Sequence, residues 1–170
     1  MAQLLAQLER INVWIGRAIA WLTLAMVLVT FTVVVLRYLF DVGWIWLQES
    51  VTWMHATVFM LGAAYTLARD EHVRVDVFYR QAGERRQALT NLLGTALFLV
   101  PVAIFLLWTS LDYVTASWEI REGSREAGGL PYPVVPLVKS LIPVTALLLL
   151  LQAIVLGARN LTRWRRGSEP

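Results

Sequence analysis

The chain has no cysteine and only two histidines among its 170 residues. Without cysteine it has no disulfide framework, no thiolate nucleophile and no cysteine-based metal site. The sequence also lacks the spacings of a phosphate-binding glycine loop, a zinc-protease helix and a serine-hydrolase nucleophile turn. These absences leave an enzyme hypothesis without candidate residues, so we expect neither catalysis nor a bound cofactor or metal.

Charged residues are missing from four long apolar stretches, residues 18–36, 50–68, 88–111 and 140–158. Hydrophobic residues make up 58% of the chain, and the mean hydropathy is +0.59. A helix of roughly 20 apolar residues crosses about 30 Å of hydrocarbon. The sequence therefore predicts an all-α integral membrane protein, a single domain over residues 1–170 with four transmembrane helices.

The basic residues predict how this protein is oriented. An even number of spans puts both termini and the loop 69–87 on one side, and the loop 112–136 on the other. Of the 15 Lys and Arg residues, only Arg37, Arg121, Arg125 and Lys139 fall on the second side. Cationic segments stay in the cytoplasm, so we expect both termini there, with 69–87 as the inner loop and 112–136 as the outer loop.

The calculated pI of about 9.7 follows from this membrane anchoring and does not imply nucleic-acid binding. We expect the tail residues Arg163, Arg165 and Arg166 to bind lipid headgroups.

The segment before the first apolar stretch has apolar residues at helical spacing, namely Leu4, Leu8, Ile11 and Ile15. This spacing predicts an amphipathic helix on the inner membrane surface. One continuous, tilted helix that includes the first span is an equally good interpretation.

Small residues and prolines predict how the spans pack and bend. Residues 62–64 of the second span, and Gly94 and Ala96 of the third, are expected to let helix backbones approach closely. The first and fourth spans are rich in Leu, Val and Ile, which favours contact with lipid or with a larger membrane partner. Pro101 and Pro143 predict kinks in the third and fourth spans.

A few polar residues lie at the start of the second span. Gln48, Glu49, Thr52 and His55 could form a proton or ion path, but the residues after His55 are apolar and the path stops. The alternative places Glu49 at the headgroups and His55 in a hydrogen bond to a neighbouring helix or subunit. His55 and His72 lie at different depths, which argues against bis-histidine haem binding.

Residues 37–76 carry a recognisable order of motifs. Arg37 ends a span and is followed by Trp-Leu-Gln-Glu-Ser at 46–50, Phe-Met-Leu-Gly-Ala-Ala at 59–64 and Ala-Arg-Asp-Glu-His-Val-Arg-Val-Asp at 68–76. This order resembles the DctQ-like small membrane subunit of tripartite ATP-independent periplasmic (TRAP) transporters. Leu-Pro at 130–131, Lys139 and Ile-Pro at 142–143 resemble the entry into the family's last helix. Gln48 departs from the family, where many members have a second acidic residue.

The resemblance implies a non-catalytic subunit of a sodium-driven importer of small organic anions, carboxylates or sugar acids, in the bacterial inner membrane. A much larger DctM-like membrane subunit would hold the substrate and sodium sites. A DctP-like periplasmic binding protein would deliver the substrate. The small subunit would brace the large one and help dock the binding protein.

The resemblance also suggests roles for individual residues. Residues expected to contact a partner or fix the structure are Arg37, Trp46, Glu49, His72, Asp76 and Lys139. Arg37 would pair with Glu49 or with the large subunit, and His72 would hydrogen bond to Asp76. Residues expected to dock the binding protein are Glu119, Arg121, Glu122, Arg125 and Glu126.

Two other functions remain open from the sequence. One is a membrane anchor or assembly subunit of a respiratory or redox complex, and the other is a small transporter that works alone as an oligomer. The second would need charged residues in mid-membrane, which this chain lacks.

Overall fold

The computed structural model describes residues 2–72, 79 and 82–166, and all regular structure in them is helical. The helices are α1 (Ala2–Leu39), α2 (Ile45–Ala68), α3 (Glu84–Gly94), α4 (Val100–Glu119), α5 (Val134–Lys139) and α6 (Leu141–Arg166). A π-helical segment, Thr95–Leu99, joins α3 to α4. Four helical stretches are long and apolar enough to span a membrane: Leu5–Leu39, Ile45–Ala68, Glu84–Glu119 and Val134–Arg166. The prediction of four long apolar helices is confirmed.

The N-terminal segment is the first part of α1 and not a separate surface helix. Of the two interpretations left open by the sequence, the continuous helix is the one observed. Asn12, Gly16 and Ile19 face the bundle, whereas Ile11 is 44% exposed. The spacing of apolar residues did not identify the inward face of this segment, because the residues that pack inward include an asparagine and a glycine.

The loops are shorter than expected, because the helices continue past the apolar stretches. α4 runs to Glu119, so the second long connection covers residues 120–133 rather than 112–136. On the other side of the bundle, α3 begins at Glu84, within the predicted loop 69–87. Polar residues extend these helices beyond the segments that hydropathy alone identifies.

Both prolines distort their helices, each in a different way. The π-helical bond from Val100 N–H to Thr95 O lies just before Pro101, whose ring would clash with a regular turn. Pro143 has no N–H to donate to the carbonyl of Lys139, and the chain there is interrupted at Ser140 between α5 and α6. The fourth candidate span therefore has a one-residue break at Ser140, three residues before the proline at which the sequence predicted a kink, and Ser140 N–H still donates to Pro136 O at 2.9 Å.

The central element is α6, which packs against α1, α2, α3 and α4. Its buried residues include Ala146, Leu148, Ala153 and Val155. One side of the fourth span is therefore buried against the other helices, while Val144, Leu147 and Ile154 stay exposed on its other side, where lipid contact remains an expectation. Leu and Val suit a protein interior as well as they suit lipid, so composition could not separate the two.

The small residues have mixed roles. Ala64 is fully buried, and Ile19 Cδ1 lies 3.8 Å from where a Gly62 Cβ would stand, which confirms close packing of α1 and α2 there. Gly16 was not predicted, yet a Cβ on it would lie 2.2 Å from the Tyr65 ring. Gly94 has nothing within 4 Å of its Cβ position, and Ala96 is exposed, so the predicted contact there is wrong.

Candidate functional site

The loop 120–133 joins α4 to α5 at the end of the bundle opposite the chain termini. It folds over the start of α2, where Trp46 N–H donates to the carbonyl of Gly128 at 3.1 Å. Within the loop, Ser124 N–H donates to Leu130 O at 3.1 Å and Gly129 N–H to Glu126 O at 2.9 Å. The loop therefore has a defined shape and a fixed position on the helices.

Glu49 is the first of two carboxylates that hold this loop. Its Oε2 accepts a hydrogen bond from the backbone N–H of Leu130 at 2.7 Å, and its Oε1 accepts one from the Ser124 hydroxyl. A Cβ at Gly129 would lie 2.7 Å from Glu49 Oε2 and 2.3 Å from Ser124 Oγ. Only glycine fits there, because the loop backbone lies directly against the carboxylate.

Glu122 is the second carboxylate. Its Oε2 accepts hydrogen bonds from Lys139 Nζ at 2.5 Å and from the Ser117 hydroxyl at 2.6 Å, so it links the loop to α4 and α5. Lys139 Nζ also lies 4.0 Å from the centre of the Tyr113 ring. The hydrogen bond from Lys139, followed by that from Ser117, holds the pKa of Glu122 below its ordinary value of 4.5.

Aromatic rings surround this end of the bundle. Trp118 donates its indole N–H to Ser140 Oγ at 3.1 Å and meets the Tyr132 ring edge to face, with ring centres 6.0 Å apart. Trp44 and Trp46 stack at the same centre-to-centre distance and are both partly exposed. Indole rings favour the depth of the lipid headgroups, so this arrangement suits a membrane–water interface.

The structure separates the predicted loop residues into two groups. Glu122 serves the protein's own fold, whereas the remaining charged side chains are exposed: Glu119, Arg121, Arg125 and Glu126. Lys139 is partly buried, with a relative side-chain exposure of 16%. The exposed group forms a mixed-charge surface around the loop.

Arg37 does not pair with Glu49. Its side chain is exposed and makes no ion pair or hydrogen bond within the part of the chain that the structure describes. Glu49 instead bonds to the loop, a contact that spans about 80 residues of sequence and that no local pattern reveals. Trp46, from the same predicted set, contacts Trp44 and the loop.

At the opposite end, Glu9 of α1 and Arg159 of α6 form a two-pronged ion pair, with N···O distances of 2.7 and 2.5 Å. Arg85 lies over the Trp164 ring at 5.5 Å. The predicted lipid-binding residues Arg163, Arg165 and Arg166 lie in the last turns of α6 beside this pair. His72 is exposed, while Asp76 and its expected bond to His72 lie outside the described residues.

Two buried amides between α1 and α6 escaped the sequence analysis. Asn12 Nδ2 donates to Gln152 Oε1 at 3.0 Å, and both side chains are almost fully buried. Asn12 Oδ1 and Gln152 Nε2 have no hydrogen-bond partner among the residues that the structure describes. Gln152 is the one amide in the apolar stretch 140–158, but Asn12 lies before the first stretch among other polar residues, and the sequence does not show that the two meet.

The suspected path residues are on the outside of the molecule. Gln48, Thr52 and His55 are exposed on α2, and none of their side chains hydrogen bonds to another described residue. They do not line a channel through this chain. Among residues 2–72, 79 and 82–166, no three metal-binding side chains come together either.

Comparison with known proteins identifies relatives. The family model described as the DctQ component of tripartite ATP-independent periplasmic transporters matches residues 26–163. The C4-dicarboxylate TRAP transporter small permease protein DctQ of Vibrio cholerae serotype O1 is 36% identical to this chain over 95 residues. That alignment covers 56% of this chain and 40% of the relative, so the chain matches less than half of the relative's length.

Proposed function

The chain belongs to the DctQ component family of TRAP transporters, and we propose that it serves as the small membrane subunit of such an importer. The observation that carries this proposal is the family match over residues 26–163, which reaches into all four candidate spans. We assign no catalytic step to this chain. Family and helices together indicate a multi-pass protein of the bacterial inner membrane.

The geometry supports a bracing role more than a pathway. Gln48, Thr52 and His55 of α2 face outward, and the buried amides Asn12 and Gln152 lie in a packed interior. A substrate path needs polar groups that continue across the bilayer, and these residues do not form one. The substrate and sodium sites would therefore lie on a larger, DctM-like membrane subunit.

The clamped loop supports a docking role for one end of the molecule. Glu49 and Glu122 fix its backbone, while exposed charges of both signs, including Arg121, Arg125 and Glu126, project around it. A rigid surface with mixed charge is suited to a soluble partner that must bind and release. We assign this surface to a DctP-like periplasmic binding protein, with both chain termini and the tail arginines in the cytoplasm.

The transported substrate is a small organic anion taken up with sodium. The Vibrio cholerae relative is described as part of a C4-dicarboxylate transporter, which makes dicarboxylates the first substrates to test. Sugar acids and other carboxylates are the next substrates to test. The choice among these anions would be made by the site on the larger subunit.

The proposal is tested by purifying the tagged chain from its native membrane in a mild detergent. A stoichiometric, larger multi-span protein should accompany it, and liposomes with both subunits and the binding protein should take up the anion in a sodium gradient. Recovery of the chain alone or as a homo-oligomer would contradict the proposal. A visible-range chromophore in the purified material would favour a redox-complex anchor instead.

A further inference from the structure

The outward faces of α2 and α4 differ in chemistry. Large apolar side chains such as Phe105 and Trp108 cover the exposed side of α4, and the Thr109 hydroxyl there donates to its own helix, to Phe105 O at 2.8 Å. The exposed side of α2 carries Gln48, Thr52 and His55. The α4 face suits lipid chains, whereas the α2 face presents groups that lipid chains cannot hydrogen bond.

These polar residues belong to one line along α2, which we call the α2 seam. It consists of Gln48, Thr52, His55, Phe59, Gly62 and Thr66. The steps of four and three residues repeat regularly, which is the spacing by which one helix meets another in left-handed packing. Its first four residues are exposed, although Phe59 is large and apolar.

His55 is the most informative residue of the seam because of its depth. It is ten residues into the helix Ile45–Ala68 and six residues, or about 9 Å, beyond Glu49, which places it inside the hydrocarbon layer. A threonine hydroxyl can donate to a carbonyl of its own helix, but an imidazole cannot satisfy both ring nitrogens that way. Polar groups at this depth are costly unless another protein group or water reaches them.

A groove continues the seam toward the termini. It is a cavity of about 520 Å³ between α1 and α2, and it is floored by small residues including Gly16, Ala20, Gly62 and Ala63. Such a concave, small-residue surface accepts the ridge of another helix.

We propose that the α2 seam and this groove receive a membrane-spanning helix of the larger subunit, which presents a hydrogen-bonding side chain at the depth of His55. The inference rests on the proposed function, since it names the face by which the small subunit attaches. It also assigns the α4 face to lipid.

Because the chain has no cysteine, single cysteines can test this in the native complex. Thr52→Cys and Phe59→Cys lie on the seam, and the matched controls Phe105→Cys and Trp108→Cys lie on α4. Each variant is labelled with benzophenone maleimide in native membranes and irradiated, and the products are separated by mass. The seam variants should form at least five times more adduct with a larger polypeptide than the α4 variants.

Three other patterns would overturn the proposal. Adducts from the α4 positions alone would place the larger subunit on the α4 face. Co-purification of the larger subunit in that case would leave the proposed function intact. Adducts at twice the mass of this chain would identify a second copy as the occupant. No protein adduct from any position, with the partner present in the membrane, would mean that lipid covers the seam.

Replacement of His55 provides a second measurement. His55→Leu should reduce the yield of the co-purified larger subunit at least threefold after a stringent detergent wash, and His55→Gln should restore part of it. Thermal unfolding of the small subunit alone should not change by more than a few degrees. Equal yields for all three proteins would remove His55 from the interface.

Discussion

Glu49 shows how a single carboxylate can organise a loop from a distant part of the chain. It accepts hydrogen bonds from the backbone of Leu130 and from Ser124. A hydrogen bond to a charged group contributes about 1.5–3 kcal/mol. Glu49→Ala should therefore speed hydrogen exchange at the Leu130 amide by roughly 10- to 100-fold.

Glu126→Ala is the matched control for Glu49, since this loop side chain is exposed and only the backbone of Glu126 bonds within the loop. It should leave exchange at Leu130 unchanged. If Glu49→Ala also leaves it unchanged, Glu49 does not hold the loop.

Glu122 should make the loop sensitive to acid. Its folded pKa lies below 4.5, so its stabilising effect is complete above that value and is lost as the pH falls through the folded pKa. Lys139→Met should raise the pKa toward 4.5, and Ser117→Ala should raise it less, because Lys139 is the stronger cause. An NMR titration of the Glu122 carboxyl carbon measures the pKa in each variant. A larger increase in Ser117→Ala than in Lys139→Met would contradict this account.

Arg121 is in an unfavourable backbone conformation. Its φ of 49° places it in the left-handed region at the end of α4, where Glu122 N–H donates to Ser117 O at 3.1 Å. Glycine is the residue most often found in this conformation at a helix end, because a residue with a Cβ is strained there by about 1–2 kcal/mol. Arg121→Gly should stabilise the protein by about 1 kcal/mol in thermal unfolding. Arg125→Gly, which lacks that conformation, should not stabilise it.

At the scale of elements, the contact between α1 and α6 depends on two buried amides. Gln152→Leu would leave Asn12 Nδ2 with only the longer hydrogen bond to Leu148 O at 3.5 Å, at a cost of about 1–2 kcal/mol. The double variant Asn12→Leu, Gln152→Leu should lose less than the sum of the single variants, because no buried amide then lacks a partner. The free energies of unfolding of the wild type, the two single variants and the double variant, measured in mild detergent, give this comparison.

Thr109→Val is the control for the amide pair, since that hydroxyl bonds only to its own helix. Additive losses for Asn12 and Gln152 would show that the two amides act independently.

The interruption of the third and fourth spans is a second feature at this scale. Pro101 follows a π-helical turn, and Pro143 follows the break between α5 and α6. The prolines predicted that distortion would occur, because a missing N–H is a local property. The form of each distortion, a π-helical turn before Pro101 and a break in the helix before Pro143, is seen only in the structure.

At the scale of the whole molecule, the charge distribution predicts the orientation in the membrane. Ala127→Cys in the loop 120–133 should react with a membrane-impermeant maleimide in cells whose outer membrane is permeabilised. Thr162→Cys near the end of α6 should react only after the inner membrane is opened. Both positions are exposed, so accessibility of the compartment decides the result. Reversed labelling would contradict the positive-inside assignment.

The sequence by itself determined the number of apolar helices and the family. Both depend on local properties: uncharged stretches of sufficient length, and an ordered set of residues from Arg37 to Asp76. Glu49 and Glu122 were also named from the sequence, Glu49 to pair with Arg37 or the large subunit and Glu122 to dock the binding protein. In the structure both carboxylates hydrogen bond within the chain.

Only the tertiary structure decided that α6 is central, that Asn12 meets Gln152 and that Glu49 holds the loop. Apolar helix faces look alike in sequence whether they meet lipid or protein, because no hydrophobic difference separates the two inside a membrane. Which faces meet is set by shape and by hydrogen bonds between residues far apart in the chain. Those contacts exist only once the helices are packed.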